Sequence, residues 1–215
     1  IGFSELLSDG SLPPQEFREY ISGINYAGKS LLALINNILD YSKLESEQMK
    51  IVAAPTDFNE LLNKLKAVFR LSAEAKGLEL NFLCRPLPGL ILDAYRVRQI
   101  LTNLLSNAIK FTEKGQVQVL VSYESGTLKI AVSDTGRGVN KDFQRKIFEP
   151  FYQQENSDAT CIGGTGLGLV ISKKLAEQMH GYIQLVSEPG FGSTFTLVLP
   201  NVPAVTETAD STPRE

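Results

Sequence analysis

QILTNLLSNAIKFT, Gln99 to Thr112, is the stretch that decides how the rest of the chain is read. At about 100° per residue, Gln99, Asn103, Asn107 and Lys110 fall within roughly a quarter of a helical circumference. Val97, Ile100, Leu101, Leu104 and Ala108 lie opposite. The pattern predicts an amphipathic helix capped by Asp93 and running through about Phe111. Its polar stripe needs a reason, because an asparagine amide in mid-helix competes with the backbone for hydrogen bonds. Either the amides are solvated or bonded to each other, or they present oxygens beside an ammonium to a polyanion. Magnesium takes oxygen ligands, and lysine supplies a point charge for phosphate.

Toward the C-terminus, Val117, Val119, Val121 and Tyr123 alternate as a strand. Gly126 marks a turn, and Leu128, Ile130 and Val132 form the hairpin partner. Asp134 keeps the parity of that partner and therefore points to its apolar face, where a carboxylate is costly unless paired. With Thr135-Gly136-Arg137-Gly138 after it, the segment reads in two ways. It is a tight turn, or an acceptor for an exocyclic amine such as adenine's, with glycines that let a flat base lie against the chain. A short helix is expected from Lys141 to about Glu149, then a polar, aperiodic run from Phe151 to Ile162 with the composition of a mobile lid. Gly163-Gly164-Thr165-Gly166-Leu167-Gly168 opens a helix from Leu167 to His180, ended by Gly181. Such a turn is a hinge, or it offers free amides and the positive end of a helix dipole to an anion. It matches neither the dinucleotide GxGxxG nor the GxxxxGK[ST] loop. Two strands around Glu188-Pro189-Gly190 complete the element pattern.

Toward the N-terminus, Ala53-Ala54-Pro55 is a break. Asp57 with Glu60 starts a helix to Gly77 whose apolar face carries Phe58, Leu61, Leu62, Leu65, Val68 and Phe69. Leu78, Leu80, Phe82 and Cys84 alternate as a strand before a Pro/Gly loop. Helices and strands in this order predict an α+β fold, a two-layer α/β sandwich, over residues 53–200. Before it, Ile1 to Leu7 reads as a helix end, stopped by Asp9-Gly10 and Pro13-Pro14. A long helix follows from about Glu16 to Met49. Ile21, Ile24, Gly28, Leu31, Ile35 and Ile38 form one stripe on it, and Tyr20, Ala27, Leu34 and Tyr41 a second. A seam this wide suits a helical bundle completed by another chain, so residues 1–52 read as a truncated dimerisation hairpin of a four-helix bundle. Residues 201–215 are Thr/Pro/Ser/Glu-rich and predict a disordered tail or linker.

Composition narrows the function. The 21 Lys+Arg against 24 Asp+Glu leave a net charge of -3, which argues against nucleic acid as a partner. No run reaches the roughly 18 apolar residues that span a bilayer, and no signal-peptide pattern opens the chain, so a cytoplasmic segment without direct membrane contact is expected. Cys84 and Cys161 lie far apart, as free thiols would. His180 is the single histidine, which removes histidine-based metal sites and leaves little room for a Ser-His-Asp triad. Its place before Gly181 suits an ordinary C-terminal helix residue.

Taken in order, five segments resemble the boxes of two-component sensor histidine kinases: Gln99–Thr112 the N box, Asp134–Gly138 (DTGRG) the first glycine box, and Ile147–Tyr152 (IFEPFY) the F box. Gly164–Leu169 (GTGLGL) resembles the second glycine box and Gly190–Phe195 (GFGSTF) the third. The ATP-binding domain of that family has the Bergerat-type fold of DNA gyrase B and Hsp90. The resemblance implies ATP and Mg²⁺ as cofactors. Asn107 would ligate the metal, assisted by Asn103, and Lys110 would contact phosphate; these three carry the chemistry. Asp134 would bind the adenine amine, Gly136 and Gly138 would border the base, and Phe111 and Ser193 would join the nucleotide site. Gly164, Thr165, Gly166, Leu167 and Gly168 would form the phosphate turn, with Phe148 and Phe151 anchoring the lid.

The resemblance also implies a reaction type. Where the gyrase and Hsp90 branches carry a water-activating glutamate one turn before the metal asparagine, this chain has Asn103, which cannot serve as a general base, so hydrolysis should be slow. Phosphoryl transfer asks for positioning and an aligned nucleophile, in the family a histidine on the first bundle helix, for relay to an aspartate of a response-regulator receiver domain. No histidine stands in IGFSELL or the helix after it; the resemblance places it upstream of Ile1. Two other functions stay open at this point: a degenerate kinase that dimerises and scaffolds, and a hydrolytic ATPase.

Overall fold

The computed structural model describes residues 13–46, 48–152 and 166–205. The chain divides into two units, Ile1–Gln48 and Met49–Glu215. In the first, α1 (Pro14–Glu45) starts with a proline in its first turn, where the missing N–H costs nothing, and ends at Ser46, whose N–H bonds back to Ser42 and Leu44 carbonyls. It is slightly shorter at its C-terminal end than the periodicity predicts. Of its first stripe Ile21, Ile24, Leu31, Ile35 and Ile38 are exposed, while Tyr20, Leu34 and Tyr41 of the second are half-buried. The expected helix end at Ile1 to Leu7 lies outside the described residues.

In the second unit the same device begins two helices. The Asp57 carboxylate accepts the Glu60 N–H at 3.0 Å to start α2 (Phe58–Ala75). The Asp93 carboxylate accepts the Arg96 N–H at 3.0 Å to start α3 (Ala94–Phe111). Each satisfies one of the orphan amides of a helix start. Between these helices lie β2 (Glu79–Cys84) and β3 (Leu90–Leu92), and β3 pairs antiparallel with β1 (Ala54–Thr56), which precedes α2. That pair is absent from the sequence reading, which has a break and a loop there. Three-residue strands are too short to display a period, and Pro55 is tolerated because β1 is an edge strand.

The main sheet runs β2-β4-β5-β7-β6, built from β4 (Gln116–Glu124), β5 (Thr127–Asp134), β6 (Tyr182–Glu188) and β7 (Gly192–Leu199). Only the β2–β4 pair is parallel. Alternation places Val117, Val119, Val121, Leu128, Ile130, Val132, Leu197 and Leu199 on one face, all buried under α2, α3 and α5 (Gly168–Gln178). The other face leaves Leu83, Leu120 and Val186 exposed. This is the two-layer α+β arrangement that the element order predicts.

Several local expectations are corrected. Val68, expected in the core, is 67 % exposed, because it sits at the outer margin of the α2 stripe. The helix at Lys141 lasts only through Gln144; after this α4 (Lys141–Gln144), capped by Asn140, the chain continues as turns. Helix α5 stops at Gln178, and the left-handed residue after it is His180, at φ 59°, not Gly181. Gly181 is required for another reason: a Cβ there would collide with the Val198 carbonyl. The tail expected to be disordered from Asn201 is pinned over its first residues. Val202 is buried, its N–H reaches the Gly126 carbonyl at 2.8 Å, and the Ile91 N–H reaches the Pro203 carbonyl at 2.8 Å. Apolar Val202 and Val205 supply what the polar remainder lacks. Residues 206–215 lie outside the described set.

Candidate functional site

Helix α3 is the hub of the site, since its polar stripe meets two separate segments. In its middle, the Asn103 amide N–H donates to Ser172 Oγ on α5 at 2.9 Å, and Ser172 is buried. A Cβ on Gly168, the first residue of α5, would collide with the same Asn103 amide. The two asparagines are therefore not bonded to each other: Asn103 ties α3 to the start of α5, while Asn107, half-buried, has no side-chain partner among the described residues.

At the C-terminal end of α3, two cations lie near the Phe111 ring. Lys110 Nζ is 5.1 Å and Arg137 Cζ 4.9 Å from its centroid. The Phe111 carbonyl accepts the Arg137 N–H at 3.4 Å, and a Cβ on Gly136 would run into that carbonyl. Gly138, at φ 66°, meets the Glu188 carbonyl in the same way, and the Gly190 N–H donates to the Arg137 carbonyl at 2.8 Å. The glycines of DTGRG are thus demanded by the close wedge of this loop between α3 and the β6–β7 turn.

Asp134 ends β5 with its side chain on the covered face. Burial pushes its carboxyl above the ordinary aspartate value, partly offset by hydrogen bonds from the Gly136 and Ser193 amides. The Gly136 N–H lies 2.9 Å from Oδ1. Ser193 pairs directly across from Asp134 on β7, and its buried hydroxyl lies 2.9 Å from Ser187 Oγ. Its position beside the acid comes from its amide. One carboxylate oxygen held by a backbone amide in a partly desolvated corner is an acceptor fixed in direction.

The F-box and second glycine-box residues separate into buried and exposed members. Within the F box Ile147, to which the sequence reading gave no role of its own, is buried; Phe148 is half-buried, with Lys173 Nζ 5.6 Å from its ring centroid. Phe151 was expected to anchor the lid, yet its ring is 64 % exposed and the contact is made by its backbone, N–H to the Gly166 carbonyl at 3.3 Å. Gly166 faces that backbone at φ 71°. Leu167 is a fully buried core side chain, so only its backbone can face a ligand. Gly164, Thr165, Cys161 and most of the lid lie outside the described residues. Arg137 and Ser172 were missed; neither carries a sequence signal, since their contacts link elements far apart in the chain.

The donor set fits a purine triphosphate with a hard cation: a directed carboxylate at the end of β5, and an aromatic ring, an ammonium and an amide oxygen along α3. Among the described residues no group of three or more His, Cys, Asp or Glu is placed to hold a metal, and no helix is long and apolar enough to cross a membrane.

Comparison with known proteins identifies the family. The family described as histidine kinase-, DNA gyrase B-, and HSP90-like ATPase matches residues 92–203, and the His Kinase A (phospho-acceptor) domain matches residues 1–47. Sensor histidine kinase GacS of Pseudomonas protegens is 40 % identical over 99 % of this chain and 24 % of its own length. Aerobic respiration control sensor protein ArcB of Escherichia coli is 40 % identical over 98 % of this chain and 27 % of its own. The chain thus spans about a quarter of these relatives. The crystal structure of full-length ShkA in complex with AMPPNP superposes with a TM-score of 0.77 at 32 % identity, covering 95 % of this chain and 42 % of that one. The chain belongs to the histidine kinase-, DNA gyrase B-, and HSP90-like ATPase family, in its sensor histidine kinase branch.

Proposed function

We propose that residues 53–200 bind Mg-ATP and supply the γ-phosphoryl group to a histidine, for relay to the aspartate of a response-regulator receiver domain. The observation that carries this reading is Asp134: an acid on the apolar face of the sheet, partly desolvated and held by the Gly136 amide. That corner selects a flat base with an exocyclic amine. Asn107 and Lys110 precede Phe111 on α3, and in this reading they are the groups that meet the phosphate chain.

In this reading Asp134 accepts the adenine amine, and Phe111 with the Gly136–Gly138 loop borders the base. Lys110 holds phosphate, and Asn107 supplies one oxygen to Mg²⁺, whose charge would offset that building on the phosphoryl oxygens. Asn103 is placed to brace α5 and its leading turn, and an amide there offers no base to activate water. The receiving histidine is a residue other than His180, whose backbone sits in the left-handed turn that ends α5. Membership of the branch and the His Kinase A match support the acceptor histidine, the receiver domain and dimerisation through α1 in this reading. The location expected from composition is the cytoplasm.

Isothermal titration tests the reading. The chain should bind ATP in the presence of Mg²⁺ and bind it far more weakly in excess EDTA. Asn107→Ala should lose at least about tenfold in Mg-ATP affinity, ~1.4 kcal/mol. No heat of binding with Mg-ATP, or an Asn107→Ala variant equal to the parent, defeats the assignment. Steady phosphate release without a phosphoprotein, when an acceptor-containing partner segment is supplied with γ-labelled ATP, would instead favour a hydrolytic ATPase.

A further inference from the structure

We infer that Lys76 is a positioning residue for the nucleotide site, holding the last turn of α3 so that Lys110 meets phosphate already in place; the inference rests on the Mg-ATP reading above. An α-helix leaves its last four carbonyls without partners, and the end of α3 is where two site residues, Lys110 and Phe111, leave the backbone. Three acceptors at this end are met by one side chain. Lys76 Nζ donates to the carbonyls of Ile109 at 2.8 Å, Lys110 at 2.9 Å and Thr112 at 3.3 Å. An ammonium has three N–H donors, and all three are used. The fourth carbonyl, Phe111, accepts the Arg137 N–H instead. A cation at the negative end of the α3 dipole adds a favourable charge interaction.

The base of this clamp is itself fixed. Lys76 is the C-cap of α2, and Gly77 follows in the left-handed conformation at φ 67°. The Leu78 N–H reaches the Ala73 carbonyl at 3.0 Å and the Gly77 N–H the Glu74 carbonyl at 2.9 Å, the two bonds of a Schellman motif, while Leu78 is buried. The lysine therefore projects from a rigid cap onto the end of a neighbouring helix. The two site residues depend on it unequally. The Phe111 carbonyl is tied to the Arg137 loop, whereas the Lys110 carbonyl has only Lys76 as its partner among the described residues. Without Lys76 the turn bearing Lys110 frays, and phosphate binding must re-order it. Preorganisation is lost for the triphosphate more than for the base.

The test compares Mg-ATP and adenosine on the whole chain by titration. Lys76→Met should weaken Mg-ATP about tenfold and adenosine less than about twofold, and Lys76→Arg, which keeps a donating cation, should recover Mg-ATP affinity to within about threefold. Loss of folding alone would weaken both ligands equally. Equal losses, or an unchanged Mg-ATP affinity in Lys76→Met, overturn the role of Lys76 while leaving the nucleotide reading intact; absence of Mg-ATP binding by the parent chain overturns both. Should Lys76→Met not fold, the ammonium resonance of Lys76 in the parent decides. Slowed hydrogen exchange and a shift on adding Mg-ATP support the clamp, and a signal like that of solvated lysines overturns it.

Discussion

Asp134 is a carboxyl group whose burial works against its charge, and the consequence is a pH dependence of fixed sign. Its pKa is raised in the folded chain, so between the unfolded and folded values the native state holds a proton that the unfolded chain has released. By linkage, stability is greatest below the unfolded pKa and falls as pH rises through the folded one. Asp134→Asn removes that titration. Urea midpoints measured between about pH 3 and 7 should show the parent losing ground to the variant as pH rises; a difference that does not change with pH would mean the acid is not desolvated. In the proposed role of Asp134 nucleotide affinity moves oppositely, since an adenine amine needs the ionised acceptor: the parent should bind Mg-ATP more weakly on acidification through the same window. Asp134 itself was legible because strand parity needs no tertiary knowledge. Ser193, whose amide holds the acid, and Arg137, which covers Phe111, were not legible in these roles. Their positions depend on pairing β5 with β7 and on the loop meeting α3, contacts the chain order alone does not reveal.

At the scale of elements, α3 and α5 are joined by a contact whose two halves predict a compensating pair. Asn103→Ala deprives the buried Ser172 hydroxyl of its side-chain partner and should cost about 1–3 kcal/mol in denaturant unfolding. Gly168→Ala forces a Cβ against the Asn103 amide and should cost about 1–3 kcal/mol by overpacking. In the double variant the collision disappears with the amide, so the combined loss should fall short of the sum by more than about 0.5 kcal/mol. Strict additivity would show that the helices do not meet there. The same scale explains which elements the sequence discloses. Long helices with an aspartate cap and strands of eight or nine residues declare themselves through period and punctuation, as α2, α3, β4 and β5 do. The β1–β3 pair and the returning residues 201–205 exist through hydrogen bonds between distant segments, with no local pattern to announce them.

For the molecule as a whole, α1 is the element whose apolar surface the described chain leaves most open. Ile35 and Ile38 are each 46 % exposed and Leu31 58 %, at the three- and four-residue spacing of a packing seam. Single apolar residues at a surface are ordinary, but a continuous stripe along a 32-residue helix is a site for other helices. Removing apolar surface from water contributes about 25 cal/mol per Å², so a seam of this kind can hold two chains together. The resemblance and the His Kinase A match point to a second copy as the partner. Sedimentation equilibrium should therefore show a dimer, and replacing Leu31, Ile35 and Ile38 together with Glu should yield a monomer, since like charges would face each other across a desolvated seam. Because the residues proposed to hold the nucleotide all lie in Met49–Glu215, the monomer should bind Mg-ATP with the affinity of the parent, within about twofold. A triple variant that still sediments as a dimer would place self-association elsewhere.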